Sequence, residues 1–271
     1  MNNLLRHQRS VIDRGRVGAE LSIELDGISE SGQYREVFLG RLKKSLVAGR
    51  DTVRQIFEIS HDGVAAASAN SFLMDQIIRL AFERIDGEIF PAINPTATDC
   101  LSVLAVGGYG RREMAPFSDV DLCFLHPWKL TPRGEQVVEY LLYLLWDLGL
   151  TVGHATRSLD ECVGRAQKDS TICTTLLEAR HICGDQAIFI QFMRRFRKEV
   201  LSKGGDKFLV AKMSERADRH ALMGKSRYVL EPNIKDGKGG LRDLHTLFWI
   251  GKYVNRVRSV AELVDVGLLT Q

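Results

Sequence analysis

The chain has 271 residues, 45% apolar and 26% charged, with 37 basic against 34 acidic side chains. These are the proportions of a soluble globular protein with one large domain or two ordinary ones, and they exclude a disordered, collagenous or membrane-embedded chain. A formal charge of +3 is too small to predict a nucleic-acid footprint, so function has to come from a local site.

Five cysteines without CxxC spacing argue against a disulfide framework or structural zinc and for a reducing cytoplasm. The longest strongly apolar run, Tyr140 to Leu145, falls far short of the roughly 20 residues a membrane helix needs, and the first ten residues lack the apolar stretch of a signal peptide. Residues 1–33 are polar and glycine-dotted and read as a loose lead-in. Apolar residues at helical spacing from Tyr34 to Ile59 predict one amphipathic helix or two short ones. A second helix is predicted from Ala65 to Ile85, burying Phe72, Ile77, Ile78, Leu80 and Ala81 and stopping near Gly87, with Pro91 and Pro95 in the loop beyond.

The pattern then changes. Leu101 to Val106 reads as a short buried strand ending on Gly107-Gly108, and Asp119 to His126 as a second strand in which Val120, Leu122 and Phe124 alternate with Asp119, Asp121 and Cys123. Thr131-Pro132 opens a helix that should end at Gly149; Leu150 to Thr156 is a third strand, and Ser158-Leu-Asp-Glu161 is a capping box. Beyond it the spacing predicts helices over Thr171–Ile182, Ile188–Leu201 and Phe208–Met223. The glycine-rich loop Glu231–Asp243 follows, then a helix through Phe248 and Trp249. The last residues still form an amphipathic pattern, as in a chain that stops short of its full length.

The chemistry concentrates in Gly107-Gly-Tyr-Gly-Arg-Arg-Glu-Met-Ala-Pro-Phe-Ser-Asp-Val-Asp-Leu122. Residues two apart on a strand share a face, which sets Asp119 and Asp121 side by side, roughly 6–7 Å apart at the backbone. Paired carboxylates repel and are disfavoured on a strand, and a divalent cation offsets that cost. Mg²⁺ (or Mn²⁺) is held by one or two carboxylates plus substrate phosphates, the arrangement of phosphoryl transfer. Gly107, Gly108 and Gly110 let the backbone approach a polyphosphate, Ser118 can donate a hydroxyl, and Arg111 or Arg112 can neutralise departing pyrophosphate. The competing structural reading is a turn between two core strands with both aspartates merely exposed, and it would suffice for an isolated Asp-x-Asp. In the second glycine-rich loop, Lys235, Lys238 and Arg242 suit an anionic phosphate as well as they suit a solvated connection.

This block resembles the nucleotidyltransferase superfamily typified by DNA polymerase beta. More narrowly, it and two further segments, Leu145–Arg157 and Leu230–Thr246, resemble the bifunctional uridylyltransferase/uridylyl-removing enzymes that modify the nitrogen-regulatory protein PII. The resemblance implies an α+β fold: a helical lead-in over 1–70, a polymerase-beta-like nucleotidyltransferase core over 71–160 with a small mixed sheet, and a truncated helical domain over 161–271. It implies transfer of UMP from UTP to a tyrosine of PII with release of pyrophosphate. Asp119 and Asp121 would be catalytic and metal-binding; Gly107, Gly108, Gly110, Arg111, Ser118, Lys235 and Arg242 would bind the nucleotide.

Two departures qualify it. The family continues into an HD-type phosphohydrolase domain and glutamine-sensing ACT domains, whereas the His61-Asp62 dipeptide precedes the motif and reads as a solvated helix start, so removal of UMP is not expected. The third carboxylate that many members place on the next strand is missing, leaving Asp147, Asp160, Glu161 and Glu178 as open alternatives, while His154 on that strand suits a structural role or the positioning of a phosphate or the acceptor. Rival readings are an adenylyltransferase acting on another regulatory protein and a nucleotide-binding fragment without turnover.

Overall fold

The computed structural model describes residues 8–93, 98–222, 233–257, 259 and 261–270. Pro95 of the expected loop, the Met223 end of the helix expected from Phe208, and the Glu231-Pro232 start of the glycine-rich loop lie outside them. The described part of the lead-in is mostly helical, not loose. Helix α1 (Arg14–Leu25) is capped by Asp13, whose side chain accepts from the Arg16 N–H, and it buries Val17, Leu21 and Leu25. Its glycines at 15 and 18 weaken the intrinsic preference, and packing against neighbouring helices makes up the difference.

Helix α2 (Ser31–Ser60) is one continuous helix burying Phe38, Leu42, Leu46 and Val53. At Gly49 an added Cβ would lie 2.3 Å from Leu73 Cδ1, so glycine there lets α2 and α3 (Gly63–Arg84) close together. The dipeptide between them is a junction: His61 closes α2 in a left-handed conformation, and Asp62 caps α3 by accepting from Val64 and Ala65 N–H groups. Helix α3 buries Leu73, Met74, Ile77, Ile78 and Ala81, while Phe72 is only half-buried. It runs on into a π-helical turn, Ile85–Ile89.

Four strands form one mixed sheet in the order β3-β2-β1-β4. Strand β1 (Ser102–Ala105) is antiparallel to β2 (Val120–His126) and to β4 (Arg180–Gly184), and β2 runs parallel to β3 (Val152–Ser158). A parallel neighbour requires a crossover, supplied by α5 (Pro132–Asp147), which starts with Thr131 Oγ accepting from Gly134 N–H. Val103, Ala105, Val120, Leu122 and Phe124 share one core with α3 and with Val137, Leu141 and Leu145 of α5.

Strand β4 corrects the sequence reading, which ran a helix through Ile182. The helix here, α7 (Ser170–Leu177), ends five residues earlier and the chain turns back to pair with β1. A five-residue strand with a register break at Val103/Leu104 carries too little periodicity to be told from a helix end.

The chain divides into two compact units, residues up to 160 with 178–190, and residues 161–177 with 191 onward. The first holds the sheet and α1 to α5. The second is helical. It contains most of α6 (Leu159–Lys168), α7, the end of α8 (Gln186–Arg195) with its π-helical continuation Phe196–Leu201, α9 (Gly205–Leu222), α10 (Leu241–Ile250) and α11 (Glu262–Asp265). Its interior is aromatic: Phe208 stacks on Tyr253 at 4.2 Å, and the Tyr253 hydroxyl donates to the carbonyls of Val200 and Lys203. Among the described residues no helix is long and apolar enough to cross a membrane.

Candidate functional site

The glycine-rich block sits in the first unit, where β1 ends. Gly107 takes φ +59°, a left-handed conformation suited to glycine, and opens the one-turn helix α4 (Gly107–Gly110). The block is folded on itself: Gly110 N–H donates to Val106 O, Glu113 N–H to Gly108 O, and Val106 N–H to Asp121 O at 3.0 Å.

Helix α3 holds this segment from behind with polar groups. The buried Tyr109 hydroxyl donates to Asp75 Oδ1 at 2.7 Å; Arg180 of β4 grips both Asp75 oxygens at 2.7 and 3.0 Å and also donates to the carbonyls of Tyr109 and Gly110. Burial, then the neighbouring Asp75 charge, pushes the Tyr109 hydroxyl well above its ordinary titration range, so it stays a donor. Asn70 Nδ2 donates to the carbonyls of Met114 and Ala115, and Ser71 Oγ accepts from Met114 N–H. Sequence reasoning missed this support. Its trace was there: Asn70, Ser71, Asp75 and Gln76 are polar residues set among the apolar ones of this helix, and Ser71 and Asp75 sit one turn apart.

Asp119 is exposed just ahead of β2, and Asp121 lies on the strand, half-buried. Pairing sets Asp121 opposite Gly153 of β3. An added Cβ on Gly153 would fall 2.5 Å from Asp121 Oδ1, and one on Gly107 would fall 3.1 Å from Asp121 Oδ2. The carboxylate therefore lies in a slot between two glycine α-carbons. Asp119 precedes the strand by one residue. Cys123, which shares the side of Asp121, is buried filler.

The other predicted residues fall into different places. Ser118 is exposed beside Asp119, after Phe117, which is 94% exposed and left-handed at φ +65°. Arg111 turns back onto Glu113, Nε to Oε2 2.7 Å. Gly110 serves packing: a Cβ there would lie 2.0 Å from the Glu178 carbonyl oxygen. His154 pairs with Leu122, so it faces away from Asp121, and its ring meets Trp146 edge-on at 6.2 Å. Asp147 pairs with Arg35 on the helical side. On β3 the residues sharing the Asp121 side are Gly153, Ala155 and Arg157, none of them acidic. Among the described residues no three His, Cys, Asp or Glu side chains gather as a metal cage. Two carboxylates still fit an ion that completes its shell with phosphate and water, as Mg²⁺ commonly does.

Lys235 and Arg242 belong to the second unit. There Asn233 accepts from the Lys235 and Asp236 N–H groups, and Arg242 N–H donates to Lys235 O, giving a tight turn ahead of α10. The Arg242 guanidinium lies over Trp249 and reaches Asp236 at 3.5 Å. At the heart of the turn Asp243 accepts from Gly239 N–H at 2.8 Å, Arg216 at 3.2 Å, Arg219 at 2.5 Å and His220 at 3.0 Å. Burial pushes the Asp243 carboxyl up, but the Gly239 N–H, Arg219, His220 and Arg216 outweigh it and bring it down to about 2.

Comparison with known proteins adds a lineage. Residues 207–271 match the family model described as GlnD PII-uridylyltransferase. The chain is 50% identical over 267 residues to the bifunctional uridylyltransferase/uridylyl-removing enzyme of Rhodospirillum rubrum, covering 98% of this chain and 28% of that protein. It is 46% identical over 263 residues to the enzyme of the same name from Azospirillum brasilense, covering 97% and 28%. With that of Erythrobacter litoralis it shares 45% over 265 residues, covering 97% and 29%. The chain thus spans little more than a quarter of the length of these curated relatives.

Proposed function

We propose, from this chain's membership of the family of bifunctional uridylyltransferase/uridylyl-removing enzymes, that its 271 residues carry the transferase half of the chemistry: UMP moves from UTP to a tyrosine of PII and pyrophosphate leaves. On this reading the sheet of the first unit is a polymerase-beta-like nucleotidyltransferase core. The observation that carries it is the slot holding Asp121 between Gly107 and Gly153, with Asp119 exposed alongside and a glycine turn at its mouth.

Asp119 and Asp121 would hold Mg²⁺ or Mn²⁺, which when bound supplies positive charge to the triphosphate. The chain's own residues do the rest. The backbone at Gly107 and Gly108 lies close to the phosphates, with Ser118 adding a hydroxyl. A bond forms between the tyrosine oxygen and the α-phosphorus as the bond to the β-phosphate oxygen breaks. A phenol titrates near 10, so its proton must leave as that bond forms, and the two aspartates are the acceptors at hand. Transfer, not removal, is assigned here because His61 and Asp62 are engaged in ending α2 and capping α3.

The test is incubation of the chain with PII, Mg²⁺ and each nucleoside triphosphate in turn, followed by intact-mass measurement of PII. Addition of UMP from UTP alone is expected. AMP on PII or on another regulatory protein would favour the adenylyltransferase reading. Binding of UTP with no adduct would mark a fragment without turnover.

A further inference from the structure

We infer that Gly153 is a positioning residue for the Asp121 carboxylate, and that position 153 of β3 has no room for an acid beside it. The inference rests on the reading of Asp119 and Asp121 as the metal-binding pair and adds a residue to that site.

The register places Gly153 directly opposite Asp121 on the parallel neighbour strand, with both residues on the same side of the sheet. Any Cβ at 153 would stand 2.5 Å from Asp121 Oδ1, closer than non-bonded carbon and oxygen approach. The obstacle is the oxygen itself: Asp121 Oδ1 and Cγ are the atoms such a Cβ would meet. Nothing in the local backbone requires glycine there, since Gly153 does not have a positive φ. Glycine in a strand interior costs stability and marks a close approach of another group. Here that group is the carboxylate. On the other flank Gly107, at φ +59°, would present a Cβ 3.1 Å from Oδ2. The two α-carbons thus limit the rotation of the carboxylate. A side chain at 153, acidic or not, would turn Asp121 out of this orientation.

The experiment is a double-mutant cycle on the 271-residue chain, read by melting temperature without metal and by Mn²⁺ titration. Gly153→Ala is expected to lower the melting temperature by roughly 3–6 °C in the parent. It should cost no stability in an Asp121→Ala background, where Oδ1 is gone. It should also raise the Mn²⁺ dissociation constant by about tenfold or more, the scale of a disturbed supporting contact, and lower kcat with little change in KM for the nucleotide. Gly40→Ala, at a helical site where a Cβ meets nothing within 4 Å, is the bystander control. If Gly153→Ala alone fails to fold, recovery of folding in Asp121→Ala/Gly153→Ala supports the inference equally. An equal penalty in both backgrounds overturns it, as does unchanged Mn²⁺ binding in folded Gly153→Ala. A parent chain that binds no Mn²⁺ while the stability coupling persists would sink the metal reading and leave the positioning role standing.

Discussion

Two turns in this molecule are written in nearly the same letters. Gly107 to Asp121 in the first unit and Asn233 to Asp243 in the second each combine three glycines, clustered basic residues and aspartates. Their carboxylates end in opposite circumstances. Asp243 is surrounded by donors from its own unit: two arginines, a histidine and a backbone N–H. Asp121 is bracketed by the α-carbons of two glycines, and Asp119 beside it stands exposed. A carboxylate already matched by fixed cations gains little from another cation, whereas two acids one residue apart repel each other and are relieved by one. Glycine plus charge in a sequence therefore signals a tight turn. What surrounds the acid decides whether that turn can do chemistry.

The largest effect should come from the first turn. Asp121→Asn keeps the shape of the side chain and removes its charge, so the melting temperature should stay within a degree or two of the parent. UMP transfer to PII should fall at least about a thousandfold, some 4 kcal/mol in the barrier. Asp119→Asn should behave alike. Undiminished transfer in Asp121→Asn, measured by intact mass of PII over a time course, would erase the distinction between the two turns.

Much of the first unit was legible beforehand because its elements are long or sharply bounded. The Thr131-Pro132 start and Gly149 stop bracket α5 as expected, and the Asp-x-Asp strand falls at Val120–His126. The illegible parts depend on partners distant in sequence. Strand β4 exists because β1 needs a second neighbour, and α1 because its three buried residues find a core that its own glycine-weakened sequence does not reveal. At the candidate site, the position of Asp119 and Asp121 at the start of β2 could be read from spacing alone. The role of Gly153 could not, since it follows from a register across 32 residues, and neither could Arg180, which reaches Asp75 across 105. Gly110 looks in sequence like one more cradle glycine, yet it is the Glu178 carbonyl behind it that forbids a side chain.

A loss of intermediate size belongs to the second turn. Removing the carboxylate in Asp243→Ala leaves Arg216, Arg219 and His220 crowded without their common acceptor, and Arg219 and His220 side chains are only 14% exposed. Breaking one partner of such a group costs about 2–4 kcal/mol in denaturant unfolding of the second unit. Mn²⁺ binding by the first turn should be unaffected. A stable Asp243→Ala chain would mean the cluster is decorative, and the contrast between the turns would shrink to geometry alone.

The smallest effect, and the most selective, is on pH. The Asp243 carboxyl lies at about 2 against an ordinary 3.8, so the folded second unit binds its proton less readily than the unfolded chain does. A depressed acid contributes stability that is complete above the unfolded value and is lost as pH falls through the folded one. The window is therefore roughly pH 4 down to 2, and the contribution about 2 kcal/mol at neutral pH. Other carboxylates titrate in the same range, which makes the informative quantity the difference between the parent and Asp243→Asn. Replacing Trp128 and Trp146 by Phe leaves Trp249 as the sole tryptophan emitter, reporting the second unit. Denaturant midpoints followed by its emission should fall steeply between pH 4 and 2 in the parent and less so in the Asn variant. Parallel slopes would show that the donors around Asp243 do not hold its proton off.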